Sequence, residues 1–231
     1  MITVVPSQQR NFVDRGWMKS YRTFSFQDYY DDENNDFGKL VVFNEEIFSP
    51  GKGFNLHPTS EVEILTYVVD GELEHFDDFS NKSSVVNEGE FQLLGTGKGV
   101  NHSEKNFSKE KPLRYLQFWF TPCNIEQDPS YQKIKLEEDY SNRMLKVLSK
   151  NTDSISKIRQ DIDFYIAKLD KTKDLVHKPE EGRKTFIYLL KGHMEVNGHI
   201  ILEGDSIRIS DDRKITIKSI GKSEFFLIDI K

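Results

Sequence analysis

Six histidines are spread along this chain of 231 residues, and two of them stand in surroundings that suit chemistry. The segment Gly51-Lys-Gly-Phe-Asn-Leu-His57-Pro-Thr59-Ser-Glu61-Val-Glu63 enters an apolar run after a glycine turn. On an extended backbone alternate residues point the same way, so His57, Thr59, Glu61 and Glu63 are predicted to share a face. Further along, Gly95-Thr-Gly97-Lys-Gly99-Val-Asn-His102-Ser-Glu104 puts His102 and Glu104 on one face of a second strand. If the two strands are neighbours inside a barrel, His57, His102 and Glu104 bring two imidazoles and one carboxylate to one space. That donor set suits a divalent transition metal, Fe(II) first and Ni, Mn, Co, Zn or Cu as other occupants, with coordination positions left open. The blander alternative is a cavity without metal that takes a small organic ligand, with both imidazoles as hydrogen-bonding groups.

The remaining histidines have weaker settings. His75 follows the Asp70-Gly71 turn on a Leu-Glu-His strand and reads as a packed or hydrogen-bonding residue at a barrel mouth. His177, His193 and His199 have no aligned carboxylate. Cys123, beside Pro122, reads as a small inert side chain; a single cysteine excludes an internal disulfide framework and fits a reducing cytoplasm.

The elements that must position these residues are strands. Short runs rich in Val, Ile, Tyr, Phe and Thr, such as 39–43, 62–69, 91–94 and 113–120, are separated by Gly, Asn and Asp. In 62–69, Leu65, Tyr67 and Val69 alternate with Ile64, Thr66 and Val68, and both faces are mostly apolar, as in a strand covered twice. Phe54, Leu65, Tyr67, Phe91, Leu93, Phe118 and Trp119 are the candidate walls of a site pocket. A repeat is visible as well. Tyr67-Val-Val-Asp-Gly71-Glu-Leu-Glu74 returns as Tyr188-Leu-Leu-Lys-Gly192-His-Met-Glu195, Asn87-Glu-Gly89-Glu90 as Leu202-Glu-Gly204-Asp205, and 114–120 as 224–230. Two consecutive copies of one β unit explain three matches in the same order. The predicted fold is therefore all-β, two antiparallel barrels with a few short helical turns, divided as 1–122 and 123–231. Residues 131–140 read as helix-like, with one helical turn at most over 136–140. Lys178 and Lys184 fall opposite His57 and Glu63 at the offset of 121, so the second copy is predicted to hold no metal.

Composition removes several function classes. Lys and Arg number 32 against 38 Asp and Glu, a net charge of −6, which argues against a nucleic-acid binder working through a basic surface. No apolar run approaches the roughly 20 residues that span a bilayer, so a membrane role is not expected and a cytoplasmic protein is. No G-x-x-x-x-G-K-[ST] loop is present, and Gly95-Thr-Gly97-Lys-Gly99 precedes a strand, which disfavours nucleotide use. Asp31-Asp32-Glu33 with Asn34, Asn35 and Asp36 lacks EF-hand spacing and reads as a solvated loop.

The order Gly-x5-His57, Glu63, Gly71, then a glycine-rich strand with His102, resembles the paired motifs of cupins. More closely, the chain is similar to the pirin family in its bacterial bicupin branch, associated with quercetin 2,3-dioxygenase activity. The resemblance is carried by Arg10-Asn-Phe-Val-Asp-Arg-Gly16-Trp17, Tyr21-Arg-Thr-Phe-Ser-Phe26, Asn44-Glu45, Gly53-Phe54, His57-Pro58, Leu73-Glu-His75 and Gly97-Lys-Gly99-Val-Asn-His102-Ser103-Glu104. It covers the first half well and the second as a degenerate cupin. The resemblance implies metal ligands at His57, His102 and Glu104, with Glu104 also as proton acceptor, and a small aromatic phenol as substrate. The family's fourth ligand, a histidine, falls on Thr59, and its usual basic residue on Ser60. Three readings follow: a three-ligand site persists, Glu61 or Glu63 substitutes, or no metal is held and the protein is a sensor or a partner-binding module for another protein.

Overall fold

The computed structural model describes every residue except 138. The chain divides into two compact units: Asn11–Glu137, and Met1–Arg10 together with Glu138–Lys231. The amino-terminal unit is built from β2 (Asn11–Asp14), β3 (Met18–Arg22), β4 (Leu40–Phe48), β5 (Gly53–Thr59), β6 (Glu63–Asp70), β7 (Glu72–Asp77), β8 (Lys82–Asn87), β9 (Phe91–Gly95), β10 (Val100–Asn106), β11 (Leu113–Phe120) and β12 (Ser130–Ile134). These form a seven-stranded sheet in the order β12-β9-β6-β11-β4-β3-β2 and a four-stranded sheet in the order β5-β10-β7-β8.

The carboxy-terminal unit takes β1 (Ile2–Val5) from the start of the chain. It adds β13 (Arg143–Ser149), β14 (Ser156–Lys157), β15 (Ile162–Leu169), β16 (Asp174–His177), β17 (Lys184–Lys191), β18 (His193–Val196), β19 (His199–Leu202), β20 (Ser206–Ser210), β21 (Ile215–Ser219) and β22 (Ser223–Ile230). Its sheets run β1-β20-β17-β22-β15-β13-β14 and β16-β21-β18-β19; β20-β17-β22-β15 and the four-stranded sheet repeat β9-β6-β11-β4 and β5-β10-β7-β8, while the edges differ, β1 coming from the chain start and β14 pairing parallel with β13 where β2 pairs antiparallel with β3. The sequence repeat is therefore a repeat of the central strands and of the four-stranded sheet.

Local chemistry explains the repeated turns. Gly71 and Gly192 have φ of +90° and +91°, a conformation that side chains resist. A Cβ on Gly192 would also lie 2.0 Å from the Lys222 carbonyl oxygen. In the next turn Glu90 accepts the Asn87 N–H at 2.8 Å, and Asp205 accepts the Leu202 N–H at 2.9 Å. Asp205 accepts the Ser7 N–H as well, at 2.7 Å, which fastens the first residues of the chain beside β20.

The division falls at other places than 122/123. Residues 1–10 belong with the second copy because β1 pairs with β20, and residues up to 137 stay with the first because β12 pairs with β9. The helix-like stretch is strand over Ser130–Ile134; the turn expected over 136–140 includes residue 138, outside the described residues, and its other residues form no helix. Backbone pairing to β9 outweighs the local preference. Among the described residues the helical segment is the short 3-10 turn Ser7–Gln9.

Packing in the amino-terminal unit follows strand alternation. Met18, Phe48, Val68, Leu73, Val86, Leu113 and Tyr115 form one buried cluster, and Phe48 meets Phe54 and Tyr115 edge to face at 5.2 Å. Such ring pairs are each worth about 1 kcal/mol beyond the area they bury. Above that cluster the buried face turns polar. Strand β10 alternates so that Val100, His102, Glu104 and Asn106 are buried while their neighbours are half-exposed. Buried polar side chains are costly unless partnered, so their presence here marks the place to look for chemistry.

Candidate metal centre

Strand β10 lies between β5 and β7, and the register sets His102 opposite His57 on one side and Glu104 opposite His75 on the other. The His57 and His102 ring centres are 4.5 Å apart, and those of His75 and His102 are 5.8 Å apart. One donor atom from each of His75, His102 and Glu104 lies within 4.8 Å of the others. Three donors each about 2.1 Å from one ion lie about 3 to 3.6 Å from one another, so donors up to 4.8 Å apart close by about 1 to 2 Å to share it.

Each imidazole is held at one nitrogen. His57 Nδ1 is 2.8 Å from the Asn55 carbonyl oxygen and donates to it, which leaves Nε2 with its lone pair. His75 Nε2 is 3.2 Å from Asp77 Oδ2, and His102 Nε2 is 3.1 Å from Thr59 Oγ1. The Nδ1 atoms of His75 and His102 are buried with no hydrogen-bond partner. Burial, with the His57 and His75 rings close by, lowers the His102 pKa to about 3, and burial lowers that of His75 despite Asp77. Both rings are therefore neutral at ordinary pH, the form that binds metal.

Glu104 is clamped by two amides. Gln92 Nε2 donates to Oε1 at 2.9 Å and Gln117 Nε2 to Oε2 at 2.7 Å. Both amides are oriented in turn: the Trp119 indole N–H donates to Gln117 Oε1 at 3.0 Å, and the Tyr131 hydroxyl is 3.2 Å from Gln92 Oε1. Burial nevertheless raises the Glu104 pKa to about 7, against the lowering effect of these two bonds. A buried carboxylate this unfavourable, facing neutral imidazoles with unpartnered nitrogens, fits a site that receives a cation. Glu46 lies in the same unit with its pKa also raised to about 7 by burial, and Ser20 donates to it at 2.9 Å. On the β7–β8 side, a cavity of about 280 Å³ is lined by His75, Asp77, Phe79, Ser84 and Tyr131 among others.

The structure separates the four residues expected on one face. Glu61 has a left-handed backbone, φ +56°, between the end of β5 and the start of β6, which breaks the alternation. Its Oε1 accepts the Glu126 N–H, and Glu63 falls on the opposite face of β6 from Thr66, the residue that touches both Gln92 and Gln117. Neither carboxylate joins a three-residue donor group among the described residues, and neither does His57, although its ring centre is 4.5 Å from that of His102. Thr59 alone of the three candidate substitutes touches a site imidazole. The same parity corrects the expected pocket walls. Gln92, Thr66 and Gln117 face Glu104, so Phe91, Leu93, Leu65, Tyr67 and Phe118 face away from it, while Trp119 keeps to the site side.

His75 and the two glutamines escaped the sequence reading, though each left a trace. Leu73, His75 and Asp77 alternate as the buried face of β7, and Gln92 and Gln117 are polar residues inside otherwise apolar strands. In the carboxy-terminal unit, register pairs His177 with Ile215 as His57 pairs with His102, so His177 and not Lys178 is the counterpart of His57. His177 does have a carboxylate beside it, Asp229 Oδ2 at 3.2 Å, delivered by β22, which no local spacing reveals.

Two family models match the chain, "Pirin" over residues 5–120 and "Quercetinase C-terminal cupin domain" over residues 146–230. Quercetin 2,3-dioxygenase of Escherichia coli strain K12 is 34% identical over 231 residues, 100% of this chain and 99% of the relative. The crystal structure of YhhW from Escherichia coli superposes with a TM-score of 0.96 at 33% identity, covering 100% of this chain and 98% of the other. Bacterial pirin YhhW in complex with nickel(II), also from Escherichia coli, superposes with a TM-score of 0.94 at 34% identity, covering 100% and 99%.

Proposed function

The chain belongs to the pirin family, and on that premise we propose that it is a metal-dependent oxygenase of small phenols of the flavonol type, acting in the cytoplasm. The carrying observation is the buried Glu104 carboxyl, amide-clamped and facing neutral imidazoles with unpartnered nitrogens. His57, His102 and Glu104 are the proposed ligands. Fe(II) is the first candidate and nickel the next, in view of the nickel(II) complex of the Escherichia coli relative.

A divalent ion bound here would supply Lewis acidity toward adjacent hydroxyl and carbonyl oxygens of a phenol and lower the proton affinity of that hydroxyl. The side chains supply the rest. Glu104 would be both ligand and acceptor of the phenolic proton, since a carboxylate bound through one oxygen keeps the other, and its two amide donors hold it in place. Thr59 fixes the His102 ring through Nε2, and the Asn55 carbonyl fixes His57 through Nδ1. The Phe79 and Tyr131 rings beside His75 offer apolar surface to a flat aromatic molecule.

The test is metal analysis of the purified protein with quercetin turnover in air. Metal near one per chain, turnover that depends on it, and loss of both in His102→Ala are expected; full turnover by metal-free protein refutes the reading. Thr59, in a ligand's place, favours a second reading in which the protein is a non-enzymatic sensor or binds a protein partner. Metal appearing only in Thr59→His would select it.

A further inference from the structure

We propose that His75 supplies the imidazole that Thr59 does not, so that the metal centre is completed from strand β7 rather than from strand β5. This rests on the metal-binding reading above. His75 is fully buried, directly across from Glu104 in the β7–β10 register, and shares the only three-donor group among the described residues with His102 and Glu104. Its ring is fixed on two sides: stacked on Tyr131 at 4.7 Å and 13°, and held through Nε2 by Asp77. With the proton on Nε2 toward that carboxylate, Nδ1 carries a lone pair, and this is the nitrogen left without a partner. A carboxylate behind an imidazole is the arrangement that orients histidine ligands and raises their basicity. The Thr59 hydroxyl, a poor donor for a first-row metal, is engaged with His102 instead.

The second copy supplies an internal comparison. With β7 aligned to β18 at the offset of 121, His75 corresponds to Val196. The paired strands then match Glu104 to Ile217 and His102 to Ile215. All three counterparts are apolar and buried in one cluster. The counterpart of His57 by pairing is still a histidine, His177. His75 is thus exchanged together with His102 and Glu104, as expected of residues that serve one ion.

The experiment is a nickel(II) titration by calorimetry of chelator-treated full-length protein, with Co(II) visible absorption as a second reading of the ligand set. Variants are His75→Ala, His75→Gln, Asp77→Asn and His75→Ala combined with Thr59→His, each checked for folding by tryptophan emission. Expected are a Kd at least tenfold weaker in both His75 variants with a changed Co(II) spectrum, a Kd about 10 to 100-fold weaker in Asp77→Asn, and recovery in the double variant. Unchanged nickel affinity and Co(II) spectrum in folded His75→Gln overturn the role of His75. If His102→Ala then abolishes binding, the proposed metal function stands without it. No nickel binding by the unaltered protein overturns both.

Discussion

Substituting Glu46 by Gln in the metal-free protein should make the stability of the amino-terminal unit less dependent on pH. Glu46 is 4% exposed, and burial raises its carboxyl from 4.5 to about 7, against lowering contributions from the Ser20 hydrogen bond and the Arg22 charge. A shift of that size penalises the ionised form by about 3 kcal/mol. Because the native pKa lies above the unfolded one, the native state keeps a proton that the unfolded chain has released. The contribution is full below pH 4.5 and is lost as pH rises to about 7. Gln still accepts the Ser20 hydroxyl proton, but its amide nitrogen replaces Oε2, which has no hydrogen-bond partner, at a cost of about 1 kcal/mol. The variant should therefore be about 1 kcal/mol less stable at pH 4.5 and about 2 kcal/mol more stable at pH 8, with the curves crossing between. Urea unfolding followed by tryptophan emission reads this unit selectively, since the chain's two tryptophans, Trp17 and Trp119, both lie in it. Parallel curves for the two proteins, or a variant less stable at pH 8, would refute the reasoning.

Gly53→Ala should destabilise the same unit by about 3 kcal/mol and weaken nickel binding, because a Cβ there meets the Glu104 carbonyl oxygen at 2.2 Å and forces β5 from β10. Gly51→Ala, with φ +65° but open space, should cost only about 1 kcal/mol; equal thermal midpoints for the two variants would count against this account. Asp205→Ala removes the acceptor of two backbone N–H groups and should cost about 2 kcal/mol, with faster amide exchange over Ile2–Val5; unchanged exchange there would show that β1 is held by its pairing alone.

The β class, the two copies and the placing of His102 and Glu104 on one strand face are legible in the residues alone, because these depend on signals of short range. Alternation within a strand, a glycine where φ must be positive, and a His-x-Glu pair on one face are all legible within ten residues. Glu104 and His102 needed nothing more, and the repeat of Tyr67–Glu74 at Tyr188–Glu195 announced two units of like topology.

Which strands lie side by side is set by pairing between distant parts of the chain. His75 faces Glu104 because β7 and β10 pair, though 29 positions separate the two residues, and the clamps Gln92 and Gln117 arrive from a different sheet. Glu61 and Glu63 look like ligands on an ideal strand and part company because one residue adopts a left-handed backbone. Met1–Arg10 fold with Glu138–Lys231 for the same reason: edge strands take the partner that satisfies their hydrogen bonds, wherever along the chain it lies.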